Sequence, residues 1–251
     1  MKIIILIVFT CIGLYGYAQP VDELIKDATR LENTLRDGDA LNKYKEILKI
    51  QPVNLTAICR ASELCSRIAN RIKNDKKIRD EYYSAAKTYA EAALKLNPKS
   101  SDANFVMSVV MGRQALTRSG KEKIAAAKDI KKYADLALAY DPLNYKAWHV
   151  LGKWYYEVSD LNGFEKIGIK LFFGGMPKAS FSDAIRAYEK SKELAPSFML
   201  NYLELARTYH KIKRDDKAIA LLRIVPNLAV KTEDDPKIKE MAKKMLADLQ
   251  K

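Results

Sequence analysis

Four prolines punctuate the chain, and each closes a run patterned for a helix: EILKIQP at Pro52, AALKLNP at Pro98, LALAYDP at Pro142 and SKELAP at Pro196. Proline cannot sit inside a helix, because it lacks the N–H and its ring collides with the preceding turn. Counting back five, eight and twelve residues from each gives Ile47, Tyr44 and Ala40, then Ala93, Ala90 and Ala86, then Ala137, Ala134 and Ile130, then Ser191, Tyr188 and Ala184. Small or apolar residues thus recur at helical spacing, so each proline ends the same kind of helix. A second run follows each proline. Counting forward six reaches Ile58, Trp148 and Tyr202, while Pro98 leads to Asn104 beside Phe105. After Pro142, Trp148, Leu151, Gly152 and Tyr155 lie at i, i+3, i+4 and i+7, which is one helix face. The pattern predicts an all-α stack of helical hairpins.

A bulky ring opening the unit, a small residue where two helices cross and a closing proline together form the tetratricopeptide pattern. The proline spacings of 46, 44 and 54 exceed the roughly 34 residues of a plain unit. The register of the second helices is kept, so the extra residues belong between the two helices of a hairpin. The expected units are 21–51 with Gly38 in its turn, 54–97, 101–141, 145–195 and 198–225. Unit five has the plain spacing. The last run, 236–250, reads as a capping helix with Ile238, Met241, Ala242, Met245, Leu246 and Leu249 inward. An array of about five hairpins requires such an end, since a terminal unit exposes its apolar face.

Apolar residues at 48% and charged residues at 30%, with only 10 glycines and 8 prolines, exclude disorder. The net charge of +13 fits either a basic, solvated surface or a face for anionic partners. At the start, Lys2 precedes an apolar run from Ile3 to Leu14, and Gly16-Tyr17-Ala18 is a small-x-small site before Gln19. This predicts a signal peptide over 1–18, cut after about Ala18, and an exported, periplasmic or secreted protein. The run falls short of the roughly 20 residues of a spanning helix. Val8-Phe9-Thr10 is a poor lead-in to a lipidated Cys11. The remaining cysteines, Cys59 and Cys65, are six apart on one expected helix and so on different faces, which predicts two core thiols and no disulfide.

Enzyme signatures are absent: no Gly-rich phosphate loop, no G-x-S-x-G, no H-E-x-x-H and no C-x-x-C. The two histidines have no cysteine or histidine at ligand spacing. The sequence therefore implies no catalysis, no cofactor and no metal. The candidate site is the groove lined by the first helix of each hairpin. Residues beside its packing positions are Lys146, His149, Lys153 and Tyr156 in unit four, Leu203, Arg207, His210 and Lys211 in unit five, and Arg67, Phe105 and Arg113 farther up. Cations mixed with aromatic and apolar groups suit a protein or peptide partner bearing a carboxylate, with an anionic lipid or membrane surface as the alternative. The insertion GIKLFFGGMP reads either as a flap or membrane-touching tip, or as an extra helix and turn packed on the convex side. The basic stretch from Arg113 to Lys132 lacks interleaved aromatics, which argues against a nucleic-acid partner.

From Pro142 onward the chain shows A-W-H-V-L-G-K-W-Y-Y-E-V, then L-N-G-F-E-K, then L-F-F-G-G-M-P-K-A-S-F-S-D-A-I-R-A-Y-E-K, then N-Y-L-E-L-A-R-T-Y and T-E-D-D-P. This succession resembles the regulator of microtubule dynamics family over about 100 residues. Lys153 stands where that family usually has arginine, Gly163 where a tryptophan precedes Phe164, and Lys178 where a second proline is usual. The resemblance implies a helical scaffold without catalytic residues and, in the animal members, association with microtubules or membranes.

Overall fold

In a computed structural model that describes residues 18–251, the chain forms helices and no strand is present among the described residues. Residues 1–17 of the expected leader lie outside the described residues. The helices pair in chain order: α1 (Ala18–Asn33) with α2 (Asp37–Ile50), α3 (Leu55–Arg71) with α4 (Lys76–Leu96), and α5 (Ser101–Thr117) with α6 (Gly120–Tyr140). Next, α7 (Tyr145–Asp160) pairs with α9 (Phe181–Leu194) across the inserted α8 (Gly163–Phe173). The array ends with α10 (Met199–Lys211), α11 (Asp215–Leu222) and α12 (Asp235–Leu249), the last packed on both. The structure is thus the helical-repeat solenoid the prolines predict. Most of the extra residues of units two and three lengthen their helices, and those of unit four build α8.

The prolines set the entry to each following helix. Two residues beyond them, the side chains of Asn54, Ser100 and Asn144 accept the N–H groups of Ala57, Ala103 and Ala147 at 3.0, 3.2 and 3.0 Å. These caps satisfy amides that have no partner inside the helix. Six residues beyond, Asn104, Trp148 and Tyr202 each donate to the proline's own carbonyl, at 2.9, 2.8 and 2.9 Å. A ring is therefore not what the sixth position requires. After three of the four prolines it holds a donor long enough to reach back one turn, asparagine serving as well as tryptophan, and after Pro52 it holds the buried Ile58.

Close helix crossing is carried by small residues. A Cβ on Gly152 of α7 would lie 2.7–2.9 Å from the Tyr188 ring of α9. Alanines 86, 90, 93, 134, 137, 184 and 187 are buried at the equivalent crossings. Two apolar clusters result: one spans the first three pairs, and the other joins α9 through α12. The α7 helix links them, where Trp154 Nε1 donates to the Ala127 carbonyl at 2.6 Å and Lys131 lies over the rings of Trp154 and Tyr155. Cys59 and Cys65 are buried and unbridged in α3.

Two details differ from expectation. Gly38 lies inside the first turn of α2, and the chain reverses at Leu35, whose φ is +59°. There the Arg36 and Leu35 amides donate to the Leu31 and Glu32 carbonyls, a Schellman closure that a non-glycine residue can occupy at a cost. Lys213, φ +62°, makes the same closure between α10 and α11. In α12, Ile238 and Ala242 are buried and Met245, Leu246 and Leu249 pack against the core, but Met241 is exposed.

Candidate binding face

Successive first helices touch, α3 with α5, α5 with α7 and α7 with α10, so they form the inner layer of a curved array. Along α3, Arg60, Glu63, Arg67 and Arg71 fall at i, i+3, i+7 and i+11 and make one stripe. Glu32 of α1 accepts from Arg60 at 3.1 Å and Arg67 at 3.5 Å. Asp37, at the start of α2, holds Arg67 at 2.6 Å and Arg71 at 2.7 Å. Arg60 also reaches Glu63 at 2.6 Å. Lys146, two units away on α7, lies 2.8 Å from both Glu63 oxygens and above the Phe105 ring. That reach across α5 shows how strongly the array curves.

A second group lies farther along, where Glu204 of α10 binds Lys153 at 3.0 Å and Arg207. Across both groups, six cations (Arg60, Arg67, Arg71, Lys146, Lys153 and Arg207) share four carboxylates (Glu32, Asp37, Glu63 and Glu204), none with a side chain more than 14% exposed. Burial alone would raise the acids' pKa values. Instead Lys146 and Arg60 hold Glu63 down to about 2, and Lys153 with Arg207 lowers Glu204. Burial opposes charge on Lys153 as well, yet Glu204 raises its pKa.

The ladder is closed by the far end of the chain. In the turn before α12, Glu233 and Asp234 sit 3.3 and 3.2 Å from Arg71, and Glu233 accepts the Asp37 backbone N–H at 2.6 Å. An acidic turn thus occupies the terminal arginine and the N-terminal end of α2, where unpaired amides favour an anion.

The remaining sequence candidates divide. His149 packs against Tyr188 and Phe198 with Nδ1 3.0 Å from Asn201 Oδ1. Burial lowers its pKa, so it is a neutral spacer between α7 and α10. Tyr156 lies under Lys153 and edge-on to Phe181. His210 pairs with Asp215 at 2.7 Å, and Lys211 pairs with Asp160. Arg113 lines a separate cavity of about 320 Å3 with Lys76 and Arg79. Leu203 and Phe105, each one step beyond the packing position, are buried in the two cores, with the Phe105 ring lying beneath Lys146 of the inner face. Glu32, Asp37, Glu63 and Glu204 were not expected from sequence. The α3 stripe was a visible signal, but its partners lie far away along the chain.

Burial pushes the Cys59 and Cys65 thiols up to about 12 and about 11, so neither is a thiolate near neutral pH. Among the described residues, no cluster of three possible metal ligands occurs, and no helix is long and apolar enough to cross a membrane.

Known proteins share this arrangement of helices. The family model for Regulator of microtubule dynamics protein 1-3 matches residues 18–250. The chain belongs to that family. It is 26% identical over 234 residues to Regulator of microtubule dynamics protein 1 of Mus musculus, covering 91% of this chain and 75% of that protein. It is 26% identical over 155 residues to Regulator of microtubule dynamics protein 3 of Mus musculus, covering 61% of this chain and 33% of that protein. Among solved structures, a thermophilic TPR protein of Thermus thermophilus superposes with a TM-score of 0.67 at 13% identity, over 90% of this chain and 99% of that one. That likeness concerns the fold. Within the regulator of microtubule dynamics family pattern, Lys153 is the residue bound to Glu204, and the T-E-D-D segment is the turn that closes on Arg71.

Proposed function

We propose that the protein is a non-enzymatic interaction scaffold whose inner face takes an extended, acidic protein segment. The observation that carries this is the acidic turn Glu233-Asp234 seated on Arg71 and on the Asp37 amide. The chain's own carboxylates make there the contact a partner would make, and the net charge of +13 on the whole protein favours an acidic partner. Ion pairs rather than apolar side chains line it, which supports a polar chain over an acyl chain as occupant. Export, proposed from the Lys2 and Ile3–Leu14 pattern and the Ala18 site, would place that partner outside the cytoplasm; a native N-terminus at Gln19 by mass spectrometry tests it.

The binding test uses a fluorescein-labelled oligo-glutamate peptide and anisotropy. Arg207→Gln and Lys146→Gln each remove one cation while leaving Glu204 its Lys153 and Glu63 its Arg60, so the fold survives. Each variant is expected to weaken binding about tenfold, and added salt to weaken the wild type further. Equal affinity of both variants and wild type would remove the inner face from consideration.

A further inference from the structure

Helix α8 is inside out. It is well made, with an Asn162–Glu165 capping box at its start and Gly174 and Gly175 at φ +71° and +83° beyond its end, yet it buries no residue. At 100° per residue Phe164, Ile167, Leu171 and Phe172 share an arc of about 140°, and they are 90, 59, 73 and 78% exposed. The opposite face, with Lys166, Ile169 and Lys170, is turned toward the body of the protein. Together with Lys178, Met176 and Leu161 it lines a cavity of about 570 Å3 beneath the helix. On the neighbouring α6, Lys128 donates to the Phe173 carbonyl at 2.9 Å. An amphipathic helix normally does the reverse, since apolar area belongs against the core. Four adjacent large apolar side chains in water mark a surface that another phase or molecule covers.

We propose that α8 is an interfacial helix that docks the protein on an anionic lipid bilayer. With the Phe164–Phe172 face sunk into the acyl boundary, Lys166, Lys170 and Lys178 stand at headgroup height, and the cavity they rim opens to lipid phosphate. Charge selects this occupant over a second copy of the chain. Residues 163–178 carry three lysines against Glu165 alone, and the protein as a whole is +13, so a like surface repels whereas an anionic membrane attracts. This inference is independent of the inner face, which lies on other helices.

Vesicle co-sedimentation tests it, with phosphatidylcholine alone and phosphatidylcholine mixed with phosphatidylglycerol. The wild type is expected to bind the anionic vesicles at least about tenfold more tightly. The triple variant Phe164→Ser, Leu171→Ser, Phe172→Ser removes no buried group, so its melting temperature holds and binding to both vesicles is lost. The triple variant Lys166→Gln, Lys170→Gln, Lys178→Gln loses only the preference for anionic lipid. In Phe172→Trp, indole fluorescence shifts to the blue on anionic vesicles and is quenched by brominated acyl chains. Retained binding by the serine variant, or no preference between the vesicles, overturns the proposal. So does a wild-type dimer in sedimentation velocity that the serine variant converts to monomer, since a second copy would then cover the face. Oligo-glutamate binding is unchanged in both triple variants, which separates this test from that of the inner face.

Discussion

Replacing Gly152 by alanine tests whether the α7–α9 crossing is as tight as its geometry states. In an ordinary helix interior the change stabilises by about 1 kcal/mol, because glycine gives up more backbone entropy on folding. Here the new Cβ meets Tyr188 Cδ1, Cε1 and Cγ at 2.7, 2.8 and 2.9 Å. Rotating the ring about its own axis leaves Cγ in place, and the ring is fully buried with His149 against it. Relief therefore requires the two helices to part, at an overpacking cost toward the upper end of about 1–3 kcal/mol. The net effect is destabilisation by about 2 kcal/mol, a fall in Tm of about 4–8 °C for a chain of this size. Gly112→Ala is the control. It also sits inside a helix, but its nearest new neighbour is Ile130 Cδ1 at 3.9 Å, an ordinary contact, so it should raise Tm by about 2–4 °C. Circular dichroism melts of the two variants beside wild type, with amide exchange on α7 and α9, read the difference. A rise in Tm for Gly152→Ala as large as that for Gly112→Ala would refute the reasoning.

Lys213→Gly should stabilise by about 1 kcal/mol in urea titration, because φ +62° strains a residue with a Cβ and its side chain is exposed. Tyr188→Phe should be neutral or stabilising by about 1 kcal/mol, since the buried hydroxyl finds no partner among the described residues while the ring supplies the packing. Acid should unfold the protein through Glu63. Its pKa is about 2 folded against an ordinary 4.5, so the stability it contributes is complete above 4.5 and about 3 kcal/mol is lost as pH falls from there to about 2. A flat stability profile across that window in urea titrations would contradict the assignment of Lys146 and Arg60 as its partners.

The solenoid was legible because its signals are local. A proline, the helix before it and the small residues within that helix lie inside a dozen positions of one another, and Gly152 declared the crossing that Tyr188 completes. Asn104 looked like a break in the pattern only because the sixth position was read by ring size. Its amide makes the bond to Pro98 that Trp148 and Tyr202 make to Pro142 and Pro196. The site was less legible. Lys146, Lys153 and Arg207 were visible as cations on the right helices, but a charge shows nothing of its counterion in one dimension. Glu63 lies 83 positions from Lys146, and Asp234 lies 163 from Arg71. Such pairs exist only once the array has curved. The exposed face of α8 was ambiguous for another reason: its apolar spacing is that of any buried helix, and only the packing shows which way it turns.

The clasp between Arg71 and the turn before α12 changes what kind of object this is. An open stack behaves like a spring: it lengthens by adding turns and frays from whichever tip is weaker. Here the turn before the last helix is tied back to the second and third helices, so that end cannot peel away without first surrendering those charges. The curvature of the array is thereby held by a tie between units far apart along the chain.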